Sequence, residues 1–114
     1  MPYIKTTTSV NVTEEDKKIL KERFASLIEI FPGKSEQWLM LAFNDGITMS
    51  FRGDIDTPCA IVEIDIFGSA DSATYDKATK AVCDTVSEVI GVPPDRVYVK
   101  YRECDKWGYN GFNF

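Results

Sequence analysis

The sequence contains no histidine among its 114 residues. Without histidine, the Ser-His-Asp and Cys-His arrangements of nucleophilic catalysis are excluded, and so are metal sites with imidazole ligands. General acid–base chemistry near pH 7 must then come from a carboxylate, lysine, cysteine or tyrosine with a shifted pKa, or from the N-terminal amine. The ordinary pKa of an α-amino group is about 7.7–8.0, so only a small shift makes it a base at neutral pH.

Cysteines and long apolar runs are also scarce. The three cysteines, Cys59, Cys83 and Cys104, include no Cys-x-x-Cys pair, so plain reduced thiols are predicted rather than a disulfide framework or a zinc site. No apolar run approaches the ~20 residues of a membrane span. Residues 1–8 lack the basic and apolar regions of a secretory signal, which predicts a protein made in the cytoplasm.

The composition that remains is that of an acidic globular protein. Hydrophobic residues make up 44% and charged residues 27%, and 114 residues fit one domain, 1–114. The net charge is −5 and the pI about 4.7. An acidic surface repels phosphate backbones, so no nucleic-acid partner is expected.

The first half of the chain predicts strand, helix and strand. Residues 3–10 are rich in β-branched side chains and predict a strand. Thr13 precedes three acidic residues and is a helix N-cap, while Pro32-Gly33 marks the end of that helix. Residues 38–43 are apolar on both faces and predict a central strand, and after a turn at 44–46 residues 47–51 predict a short hairpin partner.

The second half repeats this pattern. Residues 59–67 predict a strand with one core face and one face toward solvent or a subunit boundary. Ser69 or Asp71 can cap a second helix that ends at Gly91, and residues 96–102 form the last long strand. The aromatic tail 107–114 is expected to dock on the body or on a neighbouring subunit.

Two β-α-β units predict an α+β fold in two layers, with both helices on one face of a four-stranded mixed sheet. The layout is ferredoxin-like or that of a duplicated relative. The strand at 38–43 is so apolar that we expect the uncovered sheet face to be buried by oligomerisation.

Pro2 is the sharpest candidate for chemistry, although position 2 is also a common place for a proline. After removal of Met1, its nitrogen would be a secondary amine at the start of a buried strand, and burial lowers an amine pKa. Lys34 either binds an anion or is a solvated loop charge, and Tyr98 is a core ring or a pocket wall. An acidic set is interpreted as a solvated rim rather than a cation site: Asp54, Asp56, Glu63 and Asp65.

Taken together, the chain resembles the macrophage migration inhibitory factor and D-dopachrome tautomerase family over essentially its whole length. The matching residues are the opening Met1-Pro2, Gly33-Lys34, Pro58-Cys59-Ala60, the run from Pro94 to Val99 and the closing Gly108-Tyr109-Asn110-Gly111-Phe112. Met-Pro alone is a weak signal, whereas the ordered set is specific.

The resemblance implies a homotrimer with active sites between subunits and keto–enol tautomerisation of a small aromatic 2-oxo acid such as phenylpyruvate, without metal or cofactor. It assigns Pro2 as the base and Lys34 as the carboxylate-binding residue. The backbone N–H of Phe67 would hold the same carboxylate, and Tyr98 of the neighbouring subunit would line the pocket. Trp107 and Tyr109 fall at its rim.

Several positions depart from the family pattern. Lys100 stands where mammalian members use an asparagine to contact the para-hydroxyl of the substrate, which puts preference for a hydroxylated ring in doubt. Tyr109 replaces a tryptophan and Phe67 an isoleucine, so the pocket should be reshaped. Val62 replaces the second cysteine of a Cys-x-x-Cys pair, so thiol–disulfide chemistry is excluded.

Two other functions stay open. The same trimer could act chiefly as a ligand of a host receptor, reaching it by non-classical secretion, with a vestigial proline pocket. A ferredoxin-like module that binds a small molecule without chemistry would instead be a monomer or dimer and would not need a free N-terminus.

Overall fold

A computed structural model describes residues 1–114 as two β-α-β units followed by a small hairpin. The strands are β1 (Pro2–Thr8), β2 (Met40–Asn44), β3 (Ala60–Phe67), β4 (Val97–Cys104), β5 (Gly108–Tyr109) and β6 (Phe112–Asn113), and the helices are α1 (Glu14–Leu27) and α2 (Ser72–Ile90). Short 3-10 turns lie at Ile28–Ile30, Glu36–Trp38 and Pro94–Arg96. None of the helices is long and apolar enough to cross a membrane.

Capping side chains set where both helices begin. Thr13 Oγ1 accepts the backbone N–H of Asp16 at 3.0 Å, as predicted, and satisfies one of the free donors of the first turn of α1. For α2 the cap is Asp71 rather than Ser69, with its carboxylate accepting from the Thr74 N–H at 2.8 Å. Gly91 ends α2 in the left-handed conformation at φ 72°.

The four long strands form one mixed sheet in the order β2-β1-β3-β4. β1 runs parallel to β2 and antiparallel to β3, and β3 runs parallel to β4. The predicted four-stranded mixed sheet with two helices is therefore confirmed.

A single core lies between the sheet and the two helices. Alternate residues of β1 and β3 are buried, as period-2 strands require. The apolar residues that recur at three- and four-residue spacing along α1 and just after it are buried against them, namely Leu20, Phe24, Leu27, Ile28 and Phe31. The core cluster consists of Ile4, Val12, Leu20, Phe24, Leu27, Ile28, Phe31, Ala60, Val62, Ile64, Ile66, Ala78, Val82, Val86 and Val92.

The prediction of a central strand at 38–43 was wrong. The strand is β2, and it lies at the edge of the sheet with β1 as its only partner. Trp38 belongs to a 3-10 turn instead. Leu41 and Phe43 pack against the core, while Met40 is 67% exposed on the other face. Apolar side chains on both faces therefore do not mark a central position in this sheet.

The predicted hairpin partner at 47–51 was also wrong, because this segment forms no strand with β2. The N–H groups of Gly46 and Ile47 donate instead to the carbonyls of Val10 and Thr8, at 2.9 and 3.2 Å. The turn therefore directs the chain toward the end of β1 rather than back along β2.

The uncovered face of the sheet is more polar than the sequence predicted. It carries cross-strand ion pairs between Glu63 and Lys100, at 3.8 Å, and between Asp65 and Arg102, at 3.9 Å. Of the apolar side chains expected to drive oligomerisation, Leu39, Leu41 and Phe43 pack against the core, whereas Trp38 and Met40 remain 39% and 67% exposed. Burial of this face would therefore bury charged side chains.

Arg96 organises the loop between β2 and β3. It is 8% exposed, and its guanidinium donates to the backbone carbonyls of Phe51, Asp54, Thr57 and Pro58 at 3.0–3.1 Å. The group also lies 5.3 Å from the centre of the Phe51 ring. Four backbone acceptors in one loop thus depend on a single side chain.

Candidate active site

The start of β1 opens into a cavity of about 590 Å³. Pro2 is buried and lies opposite Ile66 of β3, while Tyr3 lies between Met40 of β2 and Asp65 of β3. The cavity is mostly apolar and contains both tryptophans of the chain. Its lining is Met1, Pro2, Tyr3, Gln37, Trp38, Leu39, Met40, Asp65, Trp107, Gly108 and Tyr109.

Lys34 lies beside the N-terminus. It follows the Pro32-Gly33 turn after α1, and its Nζ donates to the Phe67 carbonyl oxygen at 2.9 Å. The pKa of the N-terminal amine, here on Met1, is lowered from its ordinary 8.0, first by burial and then by the positive charge and hydrogen bonding of Lys34. Lys34 therefore lies close to the N-terminal residue that precedes the predicted base, although neither Lys34 nor Phe67 is among the residues that line the cavity.

Phe67 links these groups through its backbone. Its N–H donates to the Met1 carbonyl oxygen at 3.0 Å, while its own carbonyl accepts from Lys34. A backbone donor and an ammonium group thus flank the first peptide unit, an arrangement that favours a negatively charged oxygen.

The aromatic tail docks on the body of its own chain, one of the two placements that were expected. The β5–β6 hairpin brings Tyr109 to 5.1 Å from Trp38, between ring centres, and Phe114 lies 6.3 Å from Phe67. Trp107 and Tyr109 both line the cavity.

Tyr98 and Lys100 do not reach the cavity of their own chain. Both lie on β4, where Tyr98 pairs in register with Ile61 and Lys100 with Glu63. Ile61 is five residues along β3 from the partner of Pro2, a separation of about 17 Å by strand rise. Tyr98 is 60% exposed, with its ring packed edge-on against Phe51 at 5.0 Å.

Of the eleven residues that line the cavity, sequence reasoning named only Pro2, Trp107 and Tyr109 as site residues, and Trp38 and Asp65 are the most notable of those it missed. Trp38 was assigned to a strand, and no local pattern marks it as part of a cavity wall. Asp65 was interpreted as part of a solvated rim, yet it lines the cavity.

No three His, Cys, Asp or Glu side chains converge as metal ligands, and all three cysteines are free.

Comparison with known proteins decides the family. The family model of macrophage migration inhibitory factor matches residues 1–114. The chain belongs to the macrophage migration inhibitory factor family. The resemblance drawn from the ordered motifs is thereby confirmed, and the fold is that of the tautomerase superfamily.

Individual members of the macrophage migration inhibitory factor family match over their full length. The macrophage migration inhibitory factor of Rattus norvegicus is 28% identical over 116 residues, covering 100% of this chain and 99% of the rat protein. The crystal structure of Leishmania major MIF2 has a TM-score of 0.92 at 28% identity, covering 100% of this chain and 97% of that one. The homologue from Prochlorococcus marinus has a TM-score of 0.87, also at 28% identity, and covers 98% of both chains.

Proposed function

We propose that this protein is a keto–enol tautomerase of phenylpyruvate-type 2-oxo acids, with Pro2 as general base after removal of Met1. The observation that carries the proposal is the burial of Pro2 at the mouth of a largely apolar cavity, beside Lys34. Membership of a family with tautomerase activity supports it.

The protonation state of Pro2 follows from its surroundings. Burial and the neighbouring ammonium group of Lys34 already lower the pKa of the amine on Met1. Once Met1 is removed, both effects act on the Pro2 nitrogen, because each disfavours a second positive charge. Both effects lower the pKa of the proline nitrogen and so favour its neutral form, which can accept a proton.

In the proposed reaction, the Pro2 nitrogen removes a proton from the carbon next to the substrate carbonyl. The electron pair of the broken C–H bond forms the enol double bond, and the carbonyl oxygen receives the proton that Pro2 carries. The same steps in reverse convert the enol back to the ketone. A single positioned base of this kind typically raises the reaction rate by ~10²–10⁴-fold.

Substrate orientation is assigned to groups around the first peptide unit. Removal of Met1 also frees the Phe67 N–H, which then joins Lys34 in binding the substrate carboxylate. The low local screening of a largely apolar cavity strengthens this attraction. The aromatic ring of the substrate packs against Trp38, Trp107 and Tyr109.

The site is proposed to be completed in a homotrimer. Neither Tyr98 nor Lys100 lines the cavity of its own chain, and Tyr98 lies about 17 Å along the sheet from its own Pro2, so we assign both to the cavity of a neighbouring subunit. Such sharing requires a head-to-tail contact that closes into a ring, as a cyclic trimer does.

The test is turnover of phenylpyruvate by the purified protein and by Pro2→Gly, with N-terminal masses measured for both. We expect Pro2→Gly to lose most activity while remaining folded and trimeric. Full activity in Pro2→Gly would exclude the proline base. Turnover by neither protein would favour the alternative, a receptor ligand with a vestigial pocket.

A further inference from the structure

Tyr98 is the most exposed aromatic side chain of the four-stranded sheet, at 60%. It lies on β4, an edge strand, so it has a neighbouring strand on one side only, where its register partner is Ile61. An exposed ring with few neighbours samples several rotamers. Tyr98 takes part in one aromatic pair of the chain, edge-on against Phe51 with the ring centres 5.0 Å apart. The orientation of Tyr98 therefore depends on how Phe51 is held.

The backbone of Phe51 is held in a tight turn. Its N–H and carbonyl exchange hydrogen bonds with those of Asp54, both at 3.1 Å. Between them, Arg52 and Gly53 have positive φ angles of 55° and 78°, the pattern of a type I′ turn. The left-handed region is unfavourable for an arginine and persists only where surrounding contacts impose it. The turn at Phe51 is therefore fixed from outside.

Arg96 supplies that external contact. Its Nη1 donates to the Phe51 carbonyl at 3.1 Å, and its guanidinium lies 5.3 Å from the centre of the Phe51 ring. Arg96 is itself buried, and its other donors bind further carbonyls of the same loop. A continuous chain of contacts thus runs from the buried Arg96 through Phe51 to the exposed ring of Tyr98.

We infer that Phe51 is a positioning residue that fixes the orientation of Tyr98 for the cavity of the neighbouring subunit. The inference rests on the proposed function, in which Tyr98 lines that cavity. Phe51 does not line the cavity of its own chain, so it acts through Tyr98. A ring that is held in place beforehand loses less conformational freedom when a ligand binds, which favours binding. The effect of Phe51 therefore falls on KM and not on the chemical step.

A double-mutant cycle separates positioning from a general structural role. KM for phenylpyruvate is measured for the wild-type trimer, Phe51→Leu, Tyr98→Ala and the double variant. We expect Phe51→Leu to raise KM about fivefold, with kcat altered by less than about twofold, because an aromatic pair is lost. In the Tyr98→Ala background the same substitution should change KM by less than about 1.5-fold, since the ring to be positioned is gone.

Two further variants complete the set. Phe51→Tyr keeps a ring at this position, so its KM should stay within about twofold of the wild-type value. Ile55→Ala shortens another apolar side chain of the same loop, one that is 61% exposed, and is the matched control that should leave KM unchanged.

Mixed trimers provide a second test, because Phe51 should act on Tyr98 of its own chain and on the Pro2 cavity of the next. When Phe51→Leu and Pro2→Gly are refolded together in equal amounts, about a quarter of the sites combine an intact Pro2 with a neighbour that has both Phe51 and Tyr98. These sites should give a component of turnover with the wild-type KM, which Phe51→Leu alone lacks. Absence of that component would overturn the inference.

The same ratios should appear in Kd for 3-phenylpropionate, followed by the fluorescence of Trp38 and Trp107, which line the cavity. A wild-type protein without turnover that shows these Kd ratios would count against the proline base and not against Phe51. Turnover with a KM that Phe51→Leu leaves unchanged, or raises equally with and without Tyr98, would overturn the inference and leave the proposed function intact. Failure of the wild-type trimer to bind either compound would overturn both. If Phe51→Leu does not fold, Phe51→Met takes its place in the cycle.

Discussion

The backbone N–H of Phe67 donates to the Met1 carbonyl oxygen at 3.0 Å. While Met1 is present, the nitrogen of Pro2 is an amide without basicity, and the Phe67 donor is occupied. Removal of one residue therefore frees both the proposed base and a proposed carboxylate-binding group. The first peptide unit occupies the position where we place the substrate.

Retention of Met1 should abolish tautomerase activity. A variant with one extra residue before Met1 keeps Pro2 in an amide bond, so we expect turnover of phenylpyruvate to fall by at least about 10²-fold. Mass spectrometry verifies the N-terminus, and a thermal melt verifies folding. Activity comparable to that of the processed chain would contradict the role of a free proline nitrogen.

Replacement of Lys34 should weaken substrate binding. Lys34→Gln removes the positive charge proposed to bind the substrate carboxylate, and a charged hydrogen bond lost in such a site raises KM by about 10- to 100-fold. The comparison is with Lys21→Gln, which removes an exposed lysine from α1. Equal effects of the two substitutions would argue that Lys34 contributes only to net charge.

Subunit mixing should reveal a shared site. Pro2→Gly lacks the base and Tyr98→Ala lacks the ring that we assign to the neighbouring cavity, so each trimer alone should be weakly active at low substrate concentration. In trimers reassembled from equal amounts, about a quarter of the sites combine an intact Pro2 with an intact Tyr98. The assay is turnover after co-refolding, and no gain over the separate variants would place both residues in one chain's site or outside it.

Arg96 should be among the most sensitive residues for stability. Arg96→Ala leaves four backbone carbonyls of the 51–58 loop without their donor, which should cost about 2–4 kcal/mol in free energy of unfolding. Urea denaturation provides the measurement. Arg23→Ala breaks an exposed ion pair with Glu88 and should cost less than about 1 kcal/mol. A similar loss in both variants would mean that the four bonds do not stabilise the loop.

Asp54 should contribute to acid sensitivity. Hydrogen bonds from Thr57 and from the Asp56 N–H lower the pKa of Asp54 from 3.8 to about 2. A carboxyl group with a lowered folded-state pKa stabilises the protein above its unfolded pKa, and this contribution is lost as the pH falls from about 4 toward about 2. Urea midpoints at pH 7, 4 and 2.5 should therefore fall more steeply for the wild-type protein than for Asp54→Asn. If the urea midpoints of the two proteins fall in parallel as the pH is lowered, the proposed contribution of Asp54 to acid sensitivity is contradicted.

Local signals predicted much of this fold. The caps at Thr13 and Asp71, the apolar periodicity of both helices and the alternation in β3 each depend on residues a few positions apart, so one sequence suffices to read them. The candidate site could be predicted only in part. Pro2 and Lys34 were noticed for their chemistry, whereas Trp38 and Asp65 give no local sign that they meet at one cavity.

The sequence by itself determined the helices, the repeated β-α-β order and the presence of an amine that can act as a base in a chain without histidine. Those properties come from residue chemistry and short-range periodicity. Only the tertiary structure decided that β2 lies at an edge, that the turn at Gly46 and Ile47 bonds to the end of β1, and that Tyr98 lies far from the Pro2 of its own chain. Strand order and register depend on hydrogen bonds between residues distant in sequence, and no local pattern specifies those partners.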